Sequence, residues 1–216
     1  LRAAVQLVDQ VYHLAGNANA TAHNQPRVVL EDLGAATEVL PACSLERKPL
    51  VVVSSAYAKG LNTTYGLTKG LIEAICAEFR KDGSPISVAR LYNVYGPGQE
   101  RANTYQSAVV LNLYHSFSKG EFSLKTPRAR RDFIYIDDVV TALKTIMEMT
   151  VSNNSQLYEV GSGEMVEIAR VGQIMSPLMG YHRPLPINAA GLKELAPYDS
   201  PAILPILPVS VSLEEG

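Results

Sequence analysis

Cysteine is scarce: only Cys43 and Cys76 occur in 216 residues. They fall on what read as separate helices, with no histidine at ligand spacing, so neither a disulfide framework nor a metal site is indicated. A reducing compartment fits. Net charge is scarce too, since 19 Lys plus Arg stand against 21 Asp plus Glu for a formal net charge of −2. That balance gives no field strong enough to attract a nucleic-acid backbone, so any bound anion must be met by a local cluster. No uninterrupted apolar run approaches the roughly 18 residues of a membrane helix. Leu1 to Asp9 also lacks the basic-then-apolar layout of a secretory signal. These absences lead us to expect a soluble, cytoplasmic protein with no metal, membrane or nucleic-acid partner. Methionine is missing from the start as well: the chain opens at Leu1, inside a helix-like pattern of Leu1, Val5 and Val8.

What is present is enough apolar residue, 47% of the chain, to bury a core. Short apolar runs alternate with longer helical patterns, the signature of strand and crossover-helix units feeding a parallel sheet. A strand is expected over Gln10 to Ala15, and then a helix from Val28 to Ala42 with Val29, Leu33, Ala36 and Leu40 on one face. Leu50-Val-Val-Val53 is apolar throughout, as in a strand covered on both sheet faces, and it ends at Ser54-Ser55. Leu71, Ile72, Ile75, Cys76 and Phe79 give Tyr65 to Arg80 a helical stripe, and Ile86 to Leu91 is a further strand. Tyr95-Gly-Pro-Gly98 reads as a turn. Thr104 to Lys119 reads as a helix, Asp132 to Ile136 as a strand, and Val139 to Met149 as a helix capped by Asp137 or Asp138. Leu157 to Val160 is a strand closed by the Gly161-Ser-Gly163 turn. The proline-rich chain after Pro184 is expected to wrap irregularly over the surface.

Tyr65-Gly-Leu-Thr-Lys69 places a phenol and an ammonium at i and i+4, on one face near a helix N-terminus. The cation and the positive end of the helix dipole both favour the ionised phenol. A phenol so tuned can take a proton from a carbinol or return one to a ketone. In isolation this spacing more often marks a solvated helix start. Here it follows a buried strand ending in Ser54-Ser55, which puts a hydroxyl across the same crevice, at the carboxyl ends of the strands.

Several segments occur in one order: Val11-Tyr-His-Leu-Ala-Gly16, Val51-Val-Val-Ser-Ser55, Tyr65-Gly-Leu-Thr-Lys69, Arg90-Leu-Tyr-Asn-Val-Tyr-Gly-Pro-Gly98, Arg131-Asp-Phe-Ile-Tyr-Ile-Asp-Asp138, Tyr158-Glu-Val-Gly-Ser-Gly163 and Val211-Ser-Leu-Glu-Glu-Gly216. Together they resemble the landmarks of the extended short-chain dehydrogenase/reductases, the NAD-dependent epimerase/dehydratase family. The resemblance implies a doubly wound, Rossmann-like parallel α/β domain over 1–95 and 126–160, lacking its first units, and a smaller mixed α/β substrate domain over 96–125 and 161–216. It implies NAD or NADP as cofactor, a nucleoside-diphosphate sugar as substrate, and a homodimer. Tyr65 becomes the general acid/base. Lys69 holds the nicotinamide ribose and lowers the tyrosine pKa, and Ser55 hydrogen-bonds the reacting sugar oxygen. His13, Ala15, Gly16 and Ser54 lie along the cofactor, Asn93 lies near the substrate phosphates, and Arg131 pairs with the pyrophosphate through its planar fork. Beside these roles stand plainer ones: His13 as a satisfied core histidine, and Arg128, Arg130 and Arg131 as a solvated basic edge.

Two departures qualify the resemblance. The family's opening glycine-rich turn, which cradles the cofactor pyrophosphate, has no counterpart in these residues, and Gly161-Ser-Gly163 lacks both its third glycine and its position. We expect that turn to lie outside the given chain, the alternative being a degenerate relative that binds no dinucleotide. The loop between Ser55 and Tyr65 is short and carries Lys59 where the family has tyrosine, yet at roughly 3.3 Å per residue it still spans about 30 Å. Ala56-Tyr57 stands where dehydratases of the family tend to carry Asp-Glu. An epimerase or 4-ketoreductase is therefore expected, with a 4,6-dehydratase or a non-catalytic dinucleotide-sensing or scaffold member as alternatives.

Overall fold

The computed structural model describes residues 1–20, 22–99, 109–120, 124, 127–183, 185, 201–202 and 210–216. Most of the proline-rich stretch beyond residue 184 and the residues 104–108 expected to open a helix lie outside the described residues. The elements begin with α1 (Arg2–Gln6), β1 (Val11–His13), α2 (Pro26–Leu45), β2 (Leu50–Ser55), α3 (Thr64–Lys81), β3 (Ile86–Leu91) and β4 (Asn93–Tyr95). They continue with α4 (Val109–Lys119), β5 (Arg130–Tyr135), α5 (Ile136–Val151), β6 (Leu157–Val160), β7 (Met165–Glu167) and α6 (Ile168–Leu178).

A four-stranded sheet in the order β1-β2-β3-β6 is parallel throughout. The alternation of β2 explains its layers. Leu50 and Val52 point into a cluster with Leu40, Cys43, Ile72 and Cys76 of α2 and α3, while Val51 joins Val139, Ala142 and Ile146 of α5 on the other face. With both faces covered, the strand can be apolar at successive positions. Burying each such side chain contributes about 1.5–3 kcal/mol. Cys43 and Cys76 are fully buried free thiols. Burial pushes them up to about 11 and about 12, leaving them inert packing groups.

A second, three-stranded sheet has the order β4-β5-β7, parallel between β4 and β5 and antiparallel between β5 and β7. Its core joins Tyr95 and Phe133 to Leu113 and Phe117 of α4 and to Ile168 and Val171 of α6. Segment 126–160 thus divides: β5 joins the second sheet, while α5 and β6 serve the first. Strands β4 and β7 and helix α6 are additions to the sequence reading. Tyr95 closes a strand rather than opening the turn, because its ring is needed in the second core. The aspartate cap expected on α5 is corrected: the helix begins at Ile136, its N-cap is Tyr135, and no side chain caps it. Asp138 instead accepts hydrogen bonds from the Ser210 hydroxyl and from the backbone N–H groups of Ser210 and Val211, which fastens the C-terminal segment to α5.

Helix α3 is seated with little clearance. Thr63 caps it through an Oγ1 that accepts from Gly66 N–H at 3.0 Å. A Cβ on Gly66 would lie 2.5 Å from the Tyr57 carbonyl oxygen, a backbone atom that cannot swing aside. Gly66→Ala should therefore destabilise the fold by about 1–3 kcal/mol through overpacking, read as a lower urea midpoint. A midpoint equal to wild type would show that the contact yields.

Candidate active site

The carboxyl ends of β2 and β3, strand β4 and the first turn of α3 converge on a cavity of about 420 Å³. Ser54, Ser55, Tyr65 and Asn93 all line it, together with Tyr57, Tyr92, Tyr95 and Gln99. Tyr65 sits one residue inside α3 and is buried. Its ring is held edge to face by Tyr57, centroids 5.4 Å apart, and by His23 at 4.8 Å. The Lys69 ammonium lies 5.8 Å from the centre of the Tyr65 ring, the arrangement expected of i,i+4 neighbours on an inward face.

Lys69 is itself only 7% exposed, so its charge requires a partner. That partner is Asp32 of α2, whose Oδ2 lies 3.5 Å from Nζ. Asp32 is buried as well, and its Oδ1 accepts from Asn17 N–H at 2.9 Å. Gly16 passes directly over this pair at φ +145, where an added Cβ would come within 2.9 Å of Lys69 Nζ. His13, at the end of β1, lies in the same field: burial and the Lys69 charge lower its pKa, and Asp32 partly opposes them. Gly16 therefore lies against Lys69, and His13 feels the Lys69 charge, while Ala15 is exposed on the strand exit.

The two serines part company because neighbouring strand residues face opposite ways. Ser54 is buried and donates its hydroxyl proton to Glu73 Oε1 at 2.6 Å. Ser55 is half-buried, and its Oγ accepts from Tyr57 N–H at 3.4 Å. Glu73 is gripped by both sides of the Arg90 guanidinium, at 2.5 and 3.0 Å. Arg90 also reaches Glu159 at 3.1 Å, and Lys59 reaches Glu159 at 3.2 Å. The Tyr92 hydroxyl receives a hydrogen bond from Lys59 at 2.9 Å and donates toward Glu159 at 3.1 Å. Lys59, the departure noted in the short loop, thus has a defined place under the cavity wall.

Arg131 separates from its basic neighbours. It is 3% exposed on β5, whereas Arg128 and Arg130 are exposed, so the solvated-edge reading fits those two and not Arg131. Its Nη1 donates to the Arg130 carbonyl at 2.8 Å, and it does not line the cavity. Beside it, the fully buried Asp132 carboxylate accepts from Ser162 N–H at 2.6 Å, Gly163 N–H at 3.0 Å and Ala202 N–H at 2.9 Å. The Gly161-Ser-Gly163 turn is therefore held by a carboxylate. Asn93 Nδ2 donates to the Asp132 carbonyl at 3.3 Å.

Sequence reasoning passed over Asp32, His23, Glu73, Arg90 and Glu159. For two of them a signal existed: Asp32 falls within the apolar face of α2, and Glu73 continues the spacing of Tyr65 and Lys69 by four. A charge on an inward stripe announces a buried partner. His23 and Glu159 carry no such local mark. Among the described residues no group of three His, Cys, Asp or Glu side chains could hold a metal ion, and no helix is long and apolar enough to cross a membrane.

Known proteins share the sequence pattern and the fold of this chain. A model of the NAD dependent epimerase/dehydratase family matches residues 1–161. The chain is 32% identical over 124 residues to a dTDP-L-rhamnose 4-epimerase of Burkholderia thailandensis, covering 56% of this chain and 34% of that protein. It is 29% identical over 175 residues to a UDP-2-acetamido-2,6-beta-L-arabino-hexul-4-ose reductase of Pseudomonas aeruginosa, covering 76% of this chain and 45% of that one. The chain thus spans less than half the length of these two curated relatives. In fold it is similar to a UDP-glucose 4-epimerase of Thermotoga maritima solved with UDP-glucose. That likeness has a TM-score of 0.80 and 19% identity, over 100% of this chain and 78% of the other.

The ion network under the cavity makes its own prediction. Arg90→Met strands the Glu73 and Glu159 carboxylates, whose side chains are 9% and 11% exposed, and should cost about 3–5 kcal/mol. Urea unfolding at neutral pH measures it. A loss below about 1 kcal/mol would mean that water or Lys59 satisfies both acids.

Proposed function

Because the chain belongs to the NAD dependent epimerase/dehydratase family, we propose that it acts as an NAD- or NADP-dependent enzyme on a nucleoside-diphosphate sugar, as an epimerase or 4-ketoreductase. The observation that carries this reading is the placement of Tyr65 and Ser55 on one cavity, with the Lys69 ammonium behind the Tyr65 ring. The strand exit suits the nicotinamide end of a dinucleotide: side-chain-free Gly16 leaves an open edge against Lys69, which any Cβ would fill. His13, Gly16 and Lys69 would hold the cofactor there, with Ala15 and Ser54 beside them. When bound, the nicotinamide supplies hydride acceptance and return.

The chain's own residues do the rest. Tyr65 takes the proton of a sugar hydroxyl and later returns it, and the Lys69 charge favours the phenolate that this requires. Ser55, at the cavity wall, orients the reacting oxygen by hydrogen bonding. Asn93 and Arg131 are proposed to meet the substrate phosphates, for which a guanidinium fork is suited. An elimination such as a 4,6-dehydration calls for a further acid/base group over the sugar. Among the described residues, none that lines the cavity is Asp, Glu, His, Lys or Arg. Ala56-Tyr57, standing where dehydratases of the family tend to carry Asp-Glu, supports epimerisation or ketone reduction over dehydration.

The test is incubation of the protein with NAD or NADP and a panel of UDP-, dTDP-, GDP- and CDP-hexoses and their 4-keto forms, followed by product analysis. Tyr65→Phe should fold normally and lose at least about a hundredfold in turnover, since it removes the proton-transfer group and little volume. Near-normal turnover in the folded variant would overturn the assignment of Tyr65. Arg131→Ala should weaken calorimetric binding of the matching free nucleoside diphosphate by about 1.5–3 kcal/mol. If no nucleoside diphosphate binds the wild type, the nucleotide-sugar reading is wrong; equal binding by the variant would remove Arg131 from the site.

A further inference from the structure

A histidine that serves no part of the scheme above lies buried against its central residue. His23 belongs to the short turn Ala22–Asn24, which packs on α2 and α3, and its side chain has no exposure. Among the described residues, three groups face the imidazole. The Asn19 carbonyl lies 3.0 Å from Nδ1, Asp32 Oδ2 lies 3.2 Å from Nε2, and the Tyr65 ring stands against it at 4.8 Å between centroids. Behind Asp32 is Lys69 at 3.5 Å, and His13 of β1 senses both charges. One carboxylate thus serves His23, Lys69 and the Asn17 N–H together.

This arrangement sets a problem for the proton-transfer step. Asp32 holds Lys69 in place, yet an undivided carboxylate so close would oppose the help that Lys69 gives to a Tyr65 phenolate. A hydrogen bond donated by His23, in the form that carries a proton on Nε2, draws part of that negative charge away from the phenol. We propose that His23 is a positioning residue: by donating to Asp32 and packing on the Tyr65 ring, it lets Asp32 anchor Lys69 while leaving the Lys69 charge effective at Tyr65. The inference rests on Tyr65 being the proton-transfer group. It adds a histidine and an aspartate, distant in sequence from Tyr65 and Lys69, to the residues that set its ionisation.

Tyrosinate absorbance tests this without substrate, because the alkaline difference between the wild-type chain and Tyr65→Phe isolates the Tyr65 titration. His23→Phe keeps a ring against Tyr65 but removes the donor to Asp32, and should move the Tyr65 titration upward by about one pH unit. His23→Gln restores an N–H donor and should bring it back toward wild type. Asp32→Asn removes the opposing charge and should move the titration the other way, below wild type. Opposite shifts from two neighbouring buried positions are not what a purely structural role produces. An unmoved titration in folded His23→Phe, or shifts of the same sign in His23→Phe and Asp32→Asn, would overturn the proposal. If His23→Phe does not fold, an unmoved titration in Asp32→Asn overturns it equally. Failure of every nucleotide sugar to react would defeat the functional reading while leaving these titrations to decide the role of His23.

Discussion

Helix α3 turns a stripe of polar side chains into the protein instead of toward water. Tyr65, Lys69 and Glu73 follow one another at intervals of four, and all three are buried. A buried ammonium and a buried carboxylate cost several kcal/mol each unless paired, so neighbouring elements are bound to supply partners. Asp32 reaches in from α2 for Lys69, and Arg90 reaches in from β3 for Glu73. Each partner brings its own requirements, met by His23 and Asn17 on one side and by Glu159, Lys59 and Tyr92 on the other. The polar interior around the site grows outward from that one helix face.

The consequence for chemistry is a division of labour between charge and shape. Ionic groups lie behind and beneath the cavity, and the described residues that line it offer hydroxyls, amides and apolar groups. The Lys69 ammonium stands 5.8 Å from the centre of the Tyr65 ring, and Asp32 Oδ2 lies 3.5 Å from that ammonium. The closeness of Gly66 to the Tyr57 carbonyl serves the same end, since it fixes the height of α3 against the turn that also carries Ser55's hydrogen-bond partner.

The second sheet is tied in by carboxylates as well. Asp132 gathers N–H groups from the turn after β6 and from Ala202, and Asp138 gathers those of Ser210 and Val211. Two acids thereby fasten segments 70 or more residues away. The chain after β6 needs such anchors because it returns from the parallel sheet to cover the other layer, where β7 adds only a three-residue strand.

The parallel order, the two-sided burial of β2 and the Tyr65–Lys69 pair were legible in the sequence, because each rests on near neighbours whose period survives without tertiary context. Leu50 to Val53 had to be a covered strand, and a phenol and ammonium four apart on a helix had to share a face. Local pattern also misled: Asp137 and Asp138 looked like a cap, yet the chain enters α5 directly from β5, and Asp138 serves residues at the far end of the chain. Likewise charge spacing alone did not separate Arg131 from Arg128 and Arg130; the resemblance singled it out, and strand pairing is what buries it while the other two stay exposed. Periodicity therefore determined the layers and the shared face of Tyr65 and Lys69 by itself, whereas which buried charge answers which, Asp32 to Lys69 and Arg90 to Glu73, was decided only by tertiary packing, since those partners stand 17 or more residues apart and meet because a buried charge must be paired wherever the fold can bring a partner.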